Sequence, residues 1–174
     1  QLDDSILAAI GGVIAPIFAP LGWGNWKMAV AAVTGLIAKE NVVATFGVLF
    51  GFAEVAEDGA EIWGTLATTM TAVAAYSFLV FNLLCAPCFA AMGAIKREMN
   101  NTKWFWFAIG YQTLLAYVVS LCVYQIGTLV TTGAFGVGTV VAFLFVIGFI
   151  YLLFRPYKES ETLEVHMKGM AGAK

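Results

Sequence analysis

Two pairs of residues carry chemistry that their apolar surroundings do not explain. Lys39 and Glu40 stand in the middle of a largely apolar stretch, residues 26–52. Charge at bilayer depth is expensive and is held there by a partner or a cavity, which points to an ion pathway or a gating pair. A structural pair satisfied by neighbouring helices is the alternative. Adjacent residues on a helix point roughly 100° apart, so each of the two is expected to find a partner elsewhere or to lie at a break in the helix. Cys85 and Cys88 flank Pro87 in a second apolar run. Thiolates, and more weakly thiols, hold divalent metals of the borderline class, so ferrous ion suits them better than magnesium or calcium. Met92, four residues beyond Cys88, shares its helix face and adds a thioether. The same thiols also pack well as small apolar groups. A Cys-x-x-Cys redox pair usually sits beside a soluble βαβ pattern, and the sequence has none. Two cysteines also fall short of a four-ligand structural zinc site. Glu98 closes the same short helix beside Lys96 and Arg97. It is read either as a carboxylate that draws cations to an exit or as a solvated interfacial charge.

The elements that position these residues follow from the layout of charge. Of the 174 residues, 61 % are hydrophobic and 11 % charged, against about 25 % charged in a soluble domain. Residues 5–26, 62–95 and 104–154 contain no charge at all. A bilayer core takes about 20 apolar residues per helix. The last run therefore makes two spans and a turn, and the middle run is too long for one simple span. The fold class expected is all-α, a polytopic helical membrane bundle with broken or re-entrant gate helices.

Along the chain, residues 5–21 are apolar but interrupted by Gly11, Gly12, Pro16 and Pro20, and Gly22, Gly24 and Asn25 read as a turn. Residues 26–52 are long enough to cross. An acidic loop, 53–61, precedes an expected full-length span over 63–83 that begins with an interfacial tryptophan. Pro87 then breaks the pattern and disfavours helix at Ala86, so a half-helix over 88–99 is expected after that span. Spans over 104–126 and 140–154 follow, separated by a Gly/Thr turn at 131–138. Residues 1–156 thus form a membrane domain and 157–174 a polar tail. Lys96, Arg97 and Lys103 are expected on the cytoplasmic side, and so is the carboxy terminus. The acidic loop lies opposite if the chain from 63 to 99 crosses once. Gln1 in place of Met suggests a start inside a longer protein.

Other polar residues have plainer readings. Cys122 is expected in the core, Asn82 and Gln112 as interhelical hydrogen-bond glue, and His166 as a surface histidine. No Gly-rich phosphate loop appears, nor a serine–histidine or paired-carboxylate constellation, so the chain is not read as an enzyme. Without a basic stripe it is not a nucleic-acid binder.

Two stretches carry a family resemblance. Residues 35–47, with Gly35, Lys39, Glu40 and Gly47, resemble the Gly…Lys-Glu-hydrophobic…Gly segment of the ferrous iron transport protein B family. Residues 85–98, with Pro87-Cys88 and a terminal Lys96-Arg97-Glu98, resemble that family's second gate motif. Their order and the following pair of spans also match, over essentially 5–156. The resemblance implies an importer of ferrous iron across the bacterial inner membrane, with a cytoplasmic amino-terminal GTPase domain joined to a helical permease. It makes Cys88 the gate cysteine and Lys39, Glu40 and Glu98 polar motif positions. Cys85 departs from the usual motif, adding a second thiol. The chain lacks the GTPase domain and the first gate motif, so it forms one face of a pore completed by other sequence. Implied partners are the lipid bilayer, the GTPase domain and first half of the permease, small cytoplasmic accessory proteins and further copies of the chain. Ferrous iron is the transported substrate, contacted by Cys88, Cys85 or Met92, and no organic cofactor is implied. A nucleoside or other small-solute permease is the alternative within transport. A non-conducting membrane assembly or sensory subunit is the alternative outside it.

Overall fold

The computed structural model describes residues 6–35, 39, 41–52 and 62–156, and among them the chain is entirely helical. Helix α1 (Ile6–Phe18) runs into a 3-10 turn, Ala19–Leu21. Gly22 then reverses the backbone at φ 87°, and a side chain there would enter the Tyr124 ring. Asn25 restarts the helix by accepting from the Lys27 amide at 3.1 Å, the usual N-cap use of a short polar side chain. The next helix, α2 (Trp26–Gly35), lies at 93° to the segment before it. The turn expected at 22–25 is therefore the vertex of a bent pair. Helix α3 (Asn41–Phe50) follows, so the crossing expected over 26–52 is two 10-residue helices with Lys39 in a turn between them.

The full-length span expected over 63–83 is corrected. Helix α4 (Trp63–Thr69) stops after 7 residues because Met70 is extended, at φ −142° and ψ 154°. Thr68 and Thr69 both turn their hydroxyls back on the Thr65 carbonyl at 2.8 Å, the local bonding by which threonine competes with helix. Thr71 caps the following helix through its bond from the Ala74 amide, 3.2 Å. The membrane-length unit is Ala72–Met99, 28 residues built from α5 (Ala72–Leu84) and α6 (Phe89–Met99). The expected half-helix is thus the second part of a broken span. Asn100, at φ 43°, ends it. The Asn101 side chain caps α7 (Thr102–Thr132) through the Lys103 and Trp104 amides. Gly133 closes α7 in the left-handed region, and α8 (Val137–Phe154) completes the described chain. Among the described residues, three helical units are long and apolar enough to cross a membrane, or four if the bent pair counts as one.

Packing runs α1 on α2, α2 on α3, α5 and α6 on α7, and α7 on α8. Ser77 meets Ser120, while Phe105 clusters with Ala86, Met92 and Ile95. The broken span and α7 are therefore antiparallel neighbours. In lipid the attraction between such helices comes from close packing and hydrogen bonds, because lipid tails are as apolar as the side chains. Both are present. Trp23 stacks on Phe18 at 4.3 Å and meets Phe78 edge-on at 5.1 Å, tying the bend to α5. Tyr117 and Gln125 of α7 donate to the Ile17 and Pro20 carbonyls at 2.8 and 2.9 Å, satisfying acceptors at the end of α1 and in the 3-10 turn after it. Helix α8 is apolar all round and buries only Thr139 and Ala142, the pattern of a lipid-facing helix.

Candidate functional site at a mid-span helix break

The chain opens at residues 85–88, with the 13 residues of α5 on one side and the 11 of α6 on the other. The break therefore lies near the middle of the span. Its cause is Pro87. In a continuous helix the Leu83 carbonyl would accept from the amide of residue 87, and proline has none. The Lys39 ammonium supplies the missing donor, reaching Leu83 O at 3.3 Å. A cation at this place also faces the negative end of the α5 dipole. The Asn82 carbonyl takes the Cys85 thiol at 3.4 Å. Cys85 N still bonds Phe81 O at 2.8 Å. Irregular backbone in a membrane needs partners of this kind, and here they come from two of the residues singled out by type.

Cys85 is 2 % exposed. It lines a cleft of ≈ 250 Å³ with Phe18, Ala32, Phe81, Phe89 and Met92. Cys88 is half-buried, occupies the N-cap position of α6 without a side-chain capping bond, and is not among the residues lining that cleft. The Met92 amide bonds the Cys88 carbonyl at 2.9 Å, so the two are on successive turns as their spacing predicts. The structure thus brings Cys85 and Met92 to one cavity and leaves Cys88 at its own position in the break. Lys39 is joined to the same break from a different element. Glu98 is exposed at the end of α6 with Lys96 and Arg97, about 15 Å along the helix from Cys88 at 1.5 Å per residue. Glu40, the acidic loop, His166 and the tail lie outside the described residues. No group of three or more His, Cys, Asp or Glu side chains gathers among the described residues.

Of the expectations for other polar residues, that for Cys122 holds and those for Asn82 and Gln112 do not. Cys122 is a core residue, its thiol 3.6 Å from the Ala142 carbonyl of α8. Asn82 does not bridge helices: its amide nitrogen donates within α5, to Phe78 O at 2.9 Å. The bridging glutamine is Gln125 and not Gln112. Ser77 and Ser120 form the buried contact between α5 and α7, and the sequence reading passed over both. The available signal was the recurrence of Tyr117, Ser120 and Tyr124 at i, i+3 and i+7 in an apolar run, which places hydroxyls on one face.

A family model described as "Gate: Nucleoside recognition" matches residues 2–102. Over 128 residues the chain is 39 % identical to the "Fe(2+) transporter FeoB" of Methanocaldococcus jannaschii, covering 74 % of this chain and 18 % of that protein. It is 34 % identical over 139 residues to the "Fe(2+) transport protein A/Fe(2+) transporter FeoB fusion protein" of Porphyromonas gingivalis, covering 74 % and 16 %. The Helicobacter pylori "Fe(2+) transporter FeoB" is 33 % identical over 121 residues, covering 70 % and 19 %. The chain spans less than a fifth of the length of these curated relatives. No solved structure matches it. With the membrane-length helices, the relatives make this a multi-pass membrane chain corresponding to a gate-bearing part of a permease.

Proposed function

The chain belongs to the ferrous iron transport protein B family, and on that premise we propose that it forms the gate-bearing face of a ferrous iron pathway. The observation that carries the reading is the break at 85–88. It sets two thiols in the middle of a span and faces the end of α5 with the Lys39 ammonium. Broken helices at mid-membrane are where transporters bind their ions, because freed backbone and side-chain donors converge there without water. Cys88 is a weak, exchangeable contact for the ferrous ion, with Cys85 and Met92 beside it in the adjoining cleft. Few protein ligands suit passage, since an ion must bind well enough to enter and weakly enough to leave. Lys39, with Glu40, holds the broken helices in register and sets the local field, and Glu98 lies at the exit.

The remaining parts are carried by other sequence. The first half of the permease completes the pore, and a cytoplasmic GTPase domain is joined to it. Small cytoplasmic accessory proteins are partners, a proposal that draws on the fused transport protein A of the P. gingivalis relative. The site is in the bacterial inner membrane with the carboxy terminus cytoplasmic. That orientation follows from Lys96, Arg97 and Lys103 at the turn between the broken span and α7.

A nucleoside substrate is the second reading, favoured by the description of the family model. The cleft beside Cys85 argues against it. Its lining is almost wholly apolar, with Thr113 as its hydroxyl, whereas a nucleoside needs several convergent donors and acceptors. Ferrous iron uptake into anaerobic proteoliposomes holding the full-length parent tests the proposal. Cys88→Ser and Cys85→Ser are compared with the unmodified protein, and added nucleoside serves as competitor. Reduced iron uptake in the folded Cys88 variant is expected. Unchanged uptake in both variants, or nucleoside uptake in place of iron, overturns it.

A further inference from the structure

Asn82 sits three residues before Cys85 and carries a polar atom that no described residue uses. Its amide nitrogen donates to Phe78 O at 2.9 Å. A carbonyl can only accept, so the amide is oriented with nitrogen toward Phe78 and Oδ1 away from it. That Oδ1 is buried and has no hydrogen-bond partner among the described residues. It faces the last residue of α2: a Cβ built on Gly35 would stand 2.9 Å from it and 2.9 Å from Val42 Cγ2. Adjacent along α5, Leu83 O holds Lys39 and Asn82 O holds the Cys85 thiol. Buried polar atoms in native structures are nearly always paired, and an orphan calls for an unseen partner. The call is stronger in a membrane, where water is scarce and an unmade bond is costly.

We infer that Asn82 is a substrate-contacting, specificity-determining residue, its Oδ1 giving an oxygen ligand to a divalent cation passing between the end of α2 and the break in α5. The inference rests on the cation-transport reading and adds the oxygen donor to it. The Cys85 thiol is held on the backbone carbonyl of Asn82 itself, so a neutral amide oxygen here adds oxygen to a sulfur-bearing stretch of the break. Such a set favours borderline first-row cations over magnesium and calcium, which prefer all-oxygen sites. Because the amide is uncharged, it does not trap the ion. Gly35 belongs to the same device: having no side chain, it lets the end of α2 stand against Oδ1, where even a Cβ would be crowded.

The test uses the full-length parent in anaerobic proteoliposomes. Ferrous iron uptake is measured over a concentration series, alone and against manganese, cobalt and zinc. Asn82→Leu removes the oxygen, Asn82→Asp keeps it and adds charge, and Gly35→Ala crowds it while leaving Asn82 in place. Loss of a contact that supports a bound metal costs about tenfold or more in affinity. Asn82→Leu is therefore expected to raise the half-saturating iron concentration about tenfold, and Gly35→Ala to shift it in the same direction. Asn82→Asp is expected to lower half-saturation and to admit manganese, the harder cation. A merely structural asparagine would not reorder the cations. If Asn82→Leu does not fold, the aspartate and Gly35 variants decide. Unchanged half-saturation and cation order in the folded variants overturn the inference while iron transport by the unmodified protein stands. Absence of iron uptake by the unmodified protein overturns the transport reading and this inference with it. Altered cation order with indifferent Cys85→Ser and Cys88→Ser variants keeps Asn82 and removes the thiols.

Discussion

Replacing Ser77 or Ser120 tests how the broken span is held. Both are 0 % exposed. Ser120 Oγ lies 2.7 Å from Ser77 O, the two hydroxyls lie 2.7 Å apart, and Ser77 Oγ is 3.1 Å from Ser120 O. Each hydroxyl has one proton. The short contacts are all used when Ser120 donates to the Ser77 carbonyl and Ser77 donates to Ser120 Oγ. Ser77→Ala then removes the shared bond, and Ser120→Ala removes both short bonds while Ser77 turns to the Ser120 carbonyl. Interhelical hydrogen bonds in membranes average about 0.6 kcal/mol and reach about 1.7, so each single change is expected to cost about 1 kcal/mol. Both singles lose the shared bond, but the Ser77 bond to the Ser120 carbonyl offsets part of the loss in Ser120→Ala, so the double variant should fall short of their sum by less than about 0.6 kcal/mol. Reversible unfolding of the purified full-length parent in mixed micelles, followed by circular dichroism, measures all four proteins. Single costs near zero and a coupling near zero would refute the hydrogen-bonded contact. Ser77→Val, which crowds the helix contact, should cost more than alanine, about 1–3 kcal/mol.

Further expectations follow from the same geometry. Lys39→Met removes the donor to Leu83 O and should reduce ferrous iron uptake, with Lys39→Arg retaining most of it; equal uptake by the methionine variant would make the contact dispensable. Gly22→Ala strains the bend, since the left-handed region costs a side-chain-bearing residue about 1–2 kcal/mol and the new Cβ enters the Tyr124 ring. Tyr124→Ala should restore part of the lost stability by removing the ring, leaving the backbone strain, and no gain in the double variant would count against the bend as described. A membrane-permeant maleimide should label half-buried Cys88 in the native protein and reach Cys85 and Cys122 only on unfolding, whereas equal labelling of all three would contradict their burial.

The sequence alone determined a good deal here. Uncharged runs of span length need no partner to be read, because every backbone group in lipid must be satisfied within helices. Hence the helical membrane class, the spans over 104–126 and 140–154 and the turn at 22–25 were all legible. So was the break at Pro87, since proline lacks the donor a helix requires. Lys39 and the two cysteines stood out because their types are costly or reactive in that setting. The bundle decided what depends on partners. Threonine bonding and an extended Met70 split the expected 63–83 span, a competition between local hydrogen bonds and helix that composition does not reveal. That Lys39 serves the carbonyl orphaned by Pro87 joins residues 44 positions apart. That Asn82 turns its nitrogen inward and leaves its oxygen facing Gly35 depends on which helices meet. Residue type shows that a polar atom needs a partner, but only the packing of the chain shows which atom has found one.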